Sequence, residues 1–335
     1  MARIFIDGFE SGDMSQWDAI YNTSIAGPSL PGSGQYYLNM LSSGLVGRAT
    51  KVIPDSAEYY VSFKYYTSEV LNGAYSAVCS FLGNGVQNIN IKVVTGSICA
   101  YRYDTWVAGS PTYTIAASTW YLIEIYVKIA DSGGRVVIKV NGATVADYTG
   151  DTLYSGSAII NSIRLGYWDS VAINAYCACA FDDIVIDNAN WIGNTRIVGI
   201  VPTGVGATTG WTPSTGANWE TVNELPASDT DYIKTSSSQT DTYQMGNITG
   251  ATIASIKSVA VQTRNWRDGN GSYDRGQHIV RPASTDRLSA SKTPIFPTIS
   301  PKVFQSIWEL NPEDSQAWEE ADVNSMEVGI KAVTA

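Results

Sequence analysis

Three groups of side chains in this 335-residue chain have types and spacings suited to chemistry. The carboxylates Asp7, Glu10, Asp182 and Asp183 stand at the two ends of the first half. If neighbouring strands bring those ends together, they offer oxygens to a structural calcium ion, a hard cation that takes roughly six to eight. The plainer alternative is that Asp7 and Asp182 serve turns. Tyr101, Tyr103, Trp106 and Trp168 lie near expected loops. Exposed flat rings stack on sugar faces while amides and carboxylates fix the hydroxyls, so these four are candidate glycan contacts. The alternative is packing, because sandwiches bury many aromatics and the chain holds 20 Tyr and 10 Trp. Arg264, Arg267, Arg275, Arg281 and Arg287 crowd one stretch, with Trp266 and Tyr273 among them. Arginine and large aromatics anchor interfaces, so Arg264, Trp266, Arg267, Tyr273 and Arg275 form a candidate docking loop for an acidic surface of a neighbouring subunit. Asp268, Asp274 and Asp286 equally allow a loop held by surface ion pairs.

No arrangement marks a catalyst. The single histidine, His278, is the only base for a Ser-His-Asp triad, and no G-x-S-x-G turn is present. No Gly-Lys-Ser/Thr phosphate loop occurs. Glu220, Glu224, Asp229 and Asp231 supply carboxylates, but nothing in their spacing marks a glycosidase pair. Cys79, Cys99, Cys177 and Cys179 fit no zinc spacing and read as small buried hydrophobes. We therefore expect a protein that binds and does not catalyse.

The elements that position these residues are strands. Hydrophobic residues make up 44% of the chain and charged residues 16%, enough apolar material for packed cores. At this length two domains are expected. The period is two in 59–65 and again in 121–129, as in half-buried antiparallel strands. A meander follows: a turn at 131–134, a strand over 135–140, a hairpin turn at Asn141-Gly142, and a return over 143–148. Further strands are expected around Ile163–Tyr167 and Phe181–Ile186. Residues 203–218, with four Gly and five Thr, read as a long loop or a domain entry. The domains are therefore expected at 1–191 and 192–335. In the second, 256–263 and 326–332 read as strands, and Asn311, Pro312, Glu313 and Asp314 as the start of one short helix. A net charge of −10 argues against nucleic acid and anionic membranes as partners. The start of the chain carries no apolar signal segment, so it is expected to be made in a cytoplasm and to stay there, or to leave by lysis or inside an assembled particle.

Several segments carry a resemblance. The opening "IDGFESG" with Trp17, the hairpin "RVVIKVNGATVADY", "INSIRLGYWD" and the ending "FDDIVID" together resemble a concanavalin A-like, laminin-G-like jelly roll. The fold class is thus all-β, a jelly-roll sandwich followed by a second β-rich domain with one short helix. The resemblance implies that the first and last strands lie side by side, and related carbohydrate-binding jelly rolls often hold calcium near the positions of Asp7, Glu10, Asp182 and Asp183. The whole layout is similar to virion structural proteins of tailed bacteriophages: "FDDI", then Trp191 and Arg196, then "GWTPS" and an ending like "NPEDSQAWEEADVNSMEVGIKAV". It implies a virion component, made in the host cytoplasm, that decorates a head or forms part of a tail or fibre. Its partners would be other virion proteins, copies of itself (a trimer first) and a host surface glycan.

Overall fold

The computed structural model describes residues 3–27, 35–40, 47–68, 75–166, 179–249, 252–269, 272–290 and 295–334. The chain divides into two compact units, Met1–Phe9 with Trp17–Ile197, and Glu10–Gln16 with Val198–Ala335. The division falls after Ile197 and not after Trp191, because the intervening residues stay bonded to the first unit. Ile192 is buried, the Gly193 N–H donates to Glu124 Oε1 at 2.8 Å, and the Ile197 N–H donates to Asp183 Oδ1 at 2.6 Å.

The first unit is a jelly-roll sandwich. Its strands are β1 (Arg3–Asp7), β2 (Ala19–Tyr21), β3 (Thr23–Ala26), β4 (Tyr37–Met40), β5 (Arg48–Ser56), β6 (Glu58–Thr67), β7 (Tyr75–Gly83), β8 (Val86–Val94), β9 (Ser97–Arg102), β10 (Thr105–Thr114), β11 (Thr119–Lys128), β12 (Gly134–Val140), β13 (Ala143–Gly150), β14 (Ile160–Gly166) and β15 (Cys179–Asp187). One sheet has eight strands in the order β13-β12-β11-β6-β15-β4-β3, with β1 also paired to β15. The other has seven, β10-β9-β8-β7-β14-β5-β2. Period two decides which face is inside. On β6, Tyr59, Val61, Phe63 and Tyr65 are buried, and on β8 so are Ile89, Ile91 and Val93. β15 is buried along its whole length, and Phe181 packs its ring 5.6 Å from Phe63 and 5.5 Å from Tyr65. Asn141 and Gly142 take φ of 50° and 83°, the left-handed pair that a type I′ turn requires. The first and last strands do pair antiparallel, with Asp7 opposite Ile184.

The second unit carries β16 (Pro202–Thr209), β17 (Thr212–Pro213), β18 (Ile233–Lys234), β19 (Thr240–Met245), β20 (Val259–Asn265), β21 (Arg275–Arg281), β22 (Arg287–Leu288), β23 (Lys302–Trp308) and β24 (Glu327–Val333). They form a five-stranded sheet, β16-β19-β24-β21-β22, and two ribbons, β17-β18 and β20-β23. Val259, Val261, Val280, Trp318, Val323, Met326 and Val328 make its core.

Two expectations for this unit are corrected. The stretch 203–218 is not one long loop, since its first part is the edge strand β16. At Gly206 the close approach of β19 demands glycine: a Cβ there would lie 2.4 Å from the Thr242 carbonyl carbon. The helix does not begin at Asn311. Asn311 Oδ1 accepts from the Glu313 N–H at 3.0 Å, and the turn closes at Ser315 with φ 62°. The helix α1 (Glu320–Ser325) starts later, where Asp322 Oδ2 accepts the Glu319 N–H at 2.9 Å. Among the described residues no helix is long and apolar enough to cross a membrane.

Candidate functional site

Strand register assembles a site on the outward face of the seven-stranded sheet. In β8 the inward residues Ile89, Ile91 and Val93 leave Asn90 and Lys92 facing the other way. In β9 the inward Ile98 and Ala100 leave Cys99 and Tyr101 outward. Cross-strand pairing then lines up Trp106 with Tyr101, Tyr101 with Asn90, Asn90 with Ser80, Ser80 with Arg164, and Arg164 with Thr50. Six strands contribute one residue each to a single row. At about 4.8 Å per strand the row is roughly 24 Å long.

The row changes character along its length. Trp106 is 56% exposed and Tyr101 half-buried. Lys92 Nζ sits 4.7 Å from the Tyr101 ring centroid and 3.2 Å from Asp104 Oδ1. Asn90 and Ser80, at 2% and 0% exposure, form the middle. Asn90 Nδ2 donates to the Tyr103 carbonyl at 2.9 Å, which fixes the amide. Asn90 Oδ1 and Ser80 Oγ are shielded from solvent and have no hydrogen-bond partner among the described residues. At the far end Arg164 Nε donates to Thr50 Oγ1 at 3.3 Å. Burial and the positive charge of Arg48 weaken the hold of Arg164 on its proton. The row thus has an exposed aromatic end at Trp106 and Tyr101, a middle closed to solvent at Asn90 and Ser80, and a part-buried guanidinium end at Arg164. Exposed aromatic surface of the kind at Trp106 is what stacks on a sugar ring.

Of the four aromatics singled out from sequence, Tyr101 and Trp106 meet in this row. Tyr103 does not: it takes φ 52° in the β9–β10 turn and stacks on Tyr154, centroids 4.3 Å apart at 13°. Trp168 lies outside the described residues. Asn90, Ser80 and Arg164 were missed because only long-range register brings them to Tyr101. The usable signal was a polar residue at every second position within the apolar run of β8.

The carboxylates proposed for calcium are engaged otherwise. Asp7 Oδ1 accepts from the Phe9 N–H at 2.8 Å and Oδ2 from Trp17 Nε1 at 2.7 Å. Asp182 Oδ1 accepts from the Asp183 N–H at 2.7 Å, inside a β-bulge where Asp183 has φ 51°. Asp183 accepts from Ile197 and pairs with Lys64 Nζ at 2.6 Å. Glu10 belongs to the second unit. Donor hydrogens and an ammonium already point at these oxygens, where a cation would need lone pairs. Among the described residues no group of three His, Cys, Asp or Glu could hold a metal ion. "FDDI" is therefore a structural lock on the domain exit.

The arginines of the stretch face carboxylates, although Arg267 Nε, Arg275 Nε and Asp274 Oδ1 have no hydrogen-bond partner among the described residues. Arg264 forms a two-pronged pair with Asp229, at 2.8 and 2.9 Å, and a second pair with Asp13. It holds the Asp229 carboxyl below the usual carboxylate range. Arg267 and Arg275 both face Asp274, at 3.7 and 3.8 Å, Arg281 pairs with Asp286 at 2.7 Å, and Arg287 with Glu313 at 2.9 Å. Trp266 packs edge-on against Tyr232 at 5.3 Å. Tyr273, half-buried, precedes β21. Each of these arginines thus faces a carboxylate, with Arg267 and Arg275 sharing Asp274. The loop acids behave similarly: Glu220 Oε2 accepts the Ala217 N–H at 3.0 Å and Glu224 Oε1 the Ser228 N–H at 3.3 Å. His278 is fully buried, with Nε2 2.7 Å from Thr263 Oγ1 and Nδ1 2.8 Å from Ser306 Oγ. Burial pushes its pKa down to about 4, so it is neutral at pH 7 and ties β21 to both strands of the β20-β23 ribbon. Cys79, Cys99 and Cys179 are buried, and burial raises the Cys79 and Cys99 thiols above their ordinary pKa. Cys177 lies outside the described residues.

A shallow groove of about 250 Å³ also crosses the outer face of the eight-stranded sheet, lined by Tyr60, Tyr126, Lys139 and Trp191. Lys139 Nζ already covers the Trp191 ring, 3.6 Å from its centroid, and Tyr60 meets it edge-on at 5.3 Å. That leaves less free aromatic face than Trp106 offers.

No family model and no curated protein matches the chain. Among solved structures it is similar to a sialidase, with 15% identity over 56% of this chain and 19% of that one at a TM-score of 0.40. It is similar to the alginate lyase Aly36B, with 14% identity over 59% and 95% of the two chains at 0.39. It is also similar to carbohydrate-binding module CBM66 from Bacillus subtilis, with 11% identity over 52% and 98% at 0.34. The fold and the site follow from the chain's own strand order, register and contacts.

Proposed function

We propose that this chain is a non-enzymatic structural protein of a tailed-phage virion whose jelly roll binds a glycan on the outward face of the seven-stranded sheet. The observation that carries the binding reading is the single row from Trp106 to Thr50. Its exposed end offers the Trp106 ring beside the half-buried Tyr101, flat aromatic surface of the kind that stacks on a sugar. The virion role is supported by the order of "FDDI", Trp191, Arg196, "GWTPS" and the closing segment along the sequence. In this reading the second unit joins the chain to other virion proteins or to further copies of itself. The test is to present the purified protein to immobilised bacterial surface polysaccharides and, with an antibody against it, to probe purified phage particles. Binding that Trp106→Ala abolishes, on a protein found in particles, supports the reading. A protein that binds no polysaccharide and occurs in no particle refutes it.

A further inference from the structure

The side chains around the open end of the row say what kind of sugar lies there. Resting on the binding site proposed above, we infer that the ligand is a neutral hexose residue, stacked by one face on Trp106 and held by adjacent hydroxyls that donate to the carboxylate of Asp104, with Lys92 positioning that carboxylate.

The β9–β10 hairpin carries both groups. Register pairs Trp106 with Tyr101 and Thr105 with Arg102, so Asp104 stands in the turn two residues before Trp106. The Trp106 side chain hydrogen-bonds to the Cys99 thiol. Gly109, opposite Cys99, leaves room for that thiol, since a Cβ there would lie 2.5 Å from Sγ. A ring anchored by its polar edge and still 56% exposed offers stacking surface with little motion left to lose.

The turn is fixed from beneath. Tyr103 donates its N–H to the Asn88 carbonyl at 3.0 Å, its carbonyl accepts from Asn90 Nδ2 at 2.9 Å, and its ring stacks on Tyr154. The closed middle of the row is thus the support of the turn, and the ligand needs no access to it. Asp104 projects from that support with its side chain 68% exposed. Lys92 Nζ lies over the Tyr101 ring, 4.7 Å from its centroid, and reaches Asp104 Oδ1 at 3.2 Å. The ammonium holds the carboxylate in place and balances its charge. Tyr101 is one strand away from Trp106, so the pair stands roughly 4.8 Å to the side of the stacking ring, within the width of one sugar. A carboxylate has two acceptor oxygens and takes hydrogen bonds from two neighbouring hydroxyls. It repels a sugar carboxylate, and the balanced pair has no net charge to attract one.

The experiment measures binding to the full chain of oligosaccharides of glucose, mannose, galactose and N-acetylglucosamine, and of galacturonic acid, at low and high NaCl. At least one neutral series should bind about tenfold or more tighter than the acidic one, with little change between the salt conditions. Asp104→Ala should weaken that binding about tenfold or more and keep wild-type thermal stability, because the side chain is exposed. Lys92→Met should cost a smaller factor. The double variant should bind no more weakly than Asp104→Ala, since Lys92 acts through Asp104. Trp106→Ala should abolish binding. Loss in Trp106→Ala with wild-type affinity in Asp104→Ala, or an acidic series bound as tightly as the neutral ones, overturns the inference and leaves the glycan site standing. Losses that multiply in the double variant overturn the positioning role of Lys92. Binding untouched by Trp106→Ala, or no binding of any series, overturns the site itself and the inference with it.

Discussion

Asp241 is the side chain whose loss should cost the second unit most. It is fully buried on β19 and accepts four hydrogen bonds. Oδ1 takes the N–H groups of Gly210 at 2.7 Å and Trp211 at 3.1 Å, and Oδ2 takes Asn218 Nδ2 and the Tyr243 hydroxyl, both at 2.6 Å. One carboxylate thus ties together the end of β16, the 3-10 turn at Asn218–Thr221 and its own strand. In Asp241→Ala the Gly210 N–H still has the Thr240 carbonyl at 3.0 Å, and one N–H of Asn218 Nδ2 keeps the Trp211 carbonyl at 2.8 Å. The other Asn218 N–H, the Trp211 N–H and the Tyr243 hydroxyl lose the acceptor that Asp241 provided. At about 1–3 kcal/mol for each stranded donor, the loss is about 6 kcal/mol. Asp241→Asn keeps the Oδ1 acceptor, and the Tyr243 hydroxyl can turn to accept from the new amide, but that amide opposes the Asn218 donor, so about 2–3 kcal/mol is expected. Hydrogen-exchange mass spectrometry in a denaturant series on the full chain reads this directly. Peptides over 202–221 and 240–245 should lose protection by those amounts, while 119–140 in the first unit stays unchanged. An Asp241→Ala protein within about 1 kcal/mol of wild type, or equal losses for the two variants, would show that these bonds do not carry that energy.

Three further outcomes follow from the same contacts. The neutral His278 has a folded pKa of about 4, below the ordinary 6.5. The unfolded chain therefore takes up the proton first as pH falls. The contribution is whole above about pH 6.5 and lost as pH drops towards 4, up to about 3 kcal/mol at 1.36 kcal/mol per unit. Urea midpoints across that window should flatten in His278→Gln, and an unchanged slope would contradict this. Arg264→Met should destabilise the second unit by about 1–2 kcal/mol, since both its acids lie in that unit and one pair is partly exposed. The difference should shrink at high salt, and a loss of oligomer mass at unchanged stability would instead return Arg264 to an intersubunit role. Gly329→Ala should disrupt β24, because a Cβ there would lie 2.0 Å from the Asp241 carbonyl oxygen. A variant with wild-type thermal stability would show that β19 and β24 can separate without penalty.

The sandwich was legible because its strands alternate cleanly. Tyr59, Val61, Phe63 and Tyr65 are inside as their spacing requires, and Asn141-Gly142 turns the chain with the backbone its residues permit. β16 was not legible. A strand that packs on β19 through glycines has neither the apolar period nor the branched residues that announce a strand. Asn311 and Pro312 carry real helix-start chemistry, but the Asn311 side chain closes a local turn and the helix waits for Glu319. The site divides similarly. Trp106 and Tyr101 were visible as aromatics near loops, whereas Ser80, Asn90 and Arg164 become neighbours only through pairing of distant strands. The calcium and docking candidates take intramolecular partners that sequence does not show. Asp7 turns to Trp17, and Arg264 to an aspartate 251 residues away.

Everything proposed for the jelly roll depends on the row beginning at Trp106 binding a glycan. Titration calorimetry of the polysaccharide bound most tightly in the screen, against wild type, Trp106→Ala and the far-face variant Trp191→Phe, addresses that dependence. A stacked ring worth about 1.4 kcal/mol or more corresponds to at least tenfold in affinity. Trp106→Ala should show that loss, and Trp191→Phe should keep wild-type affinity. Wild-type affinity in Trp106→Ala, or the loss appearing in Trp191→Phe instead, would mean that the glycan does not lie on this row.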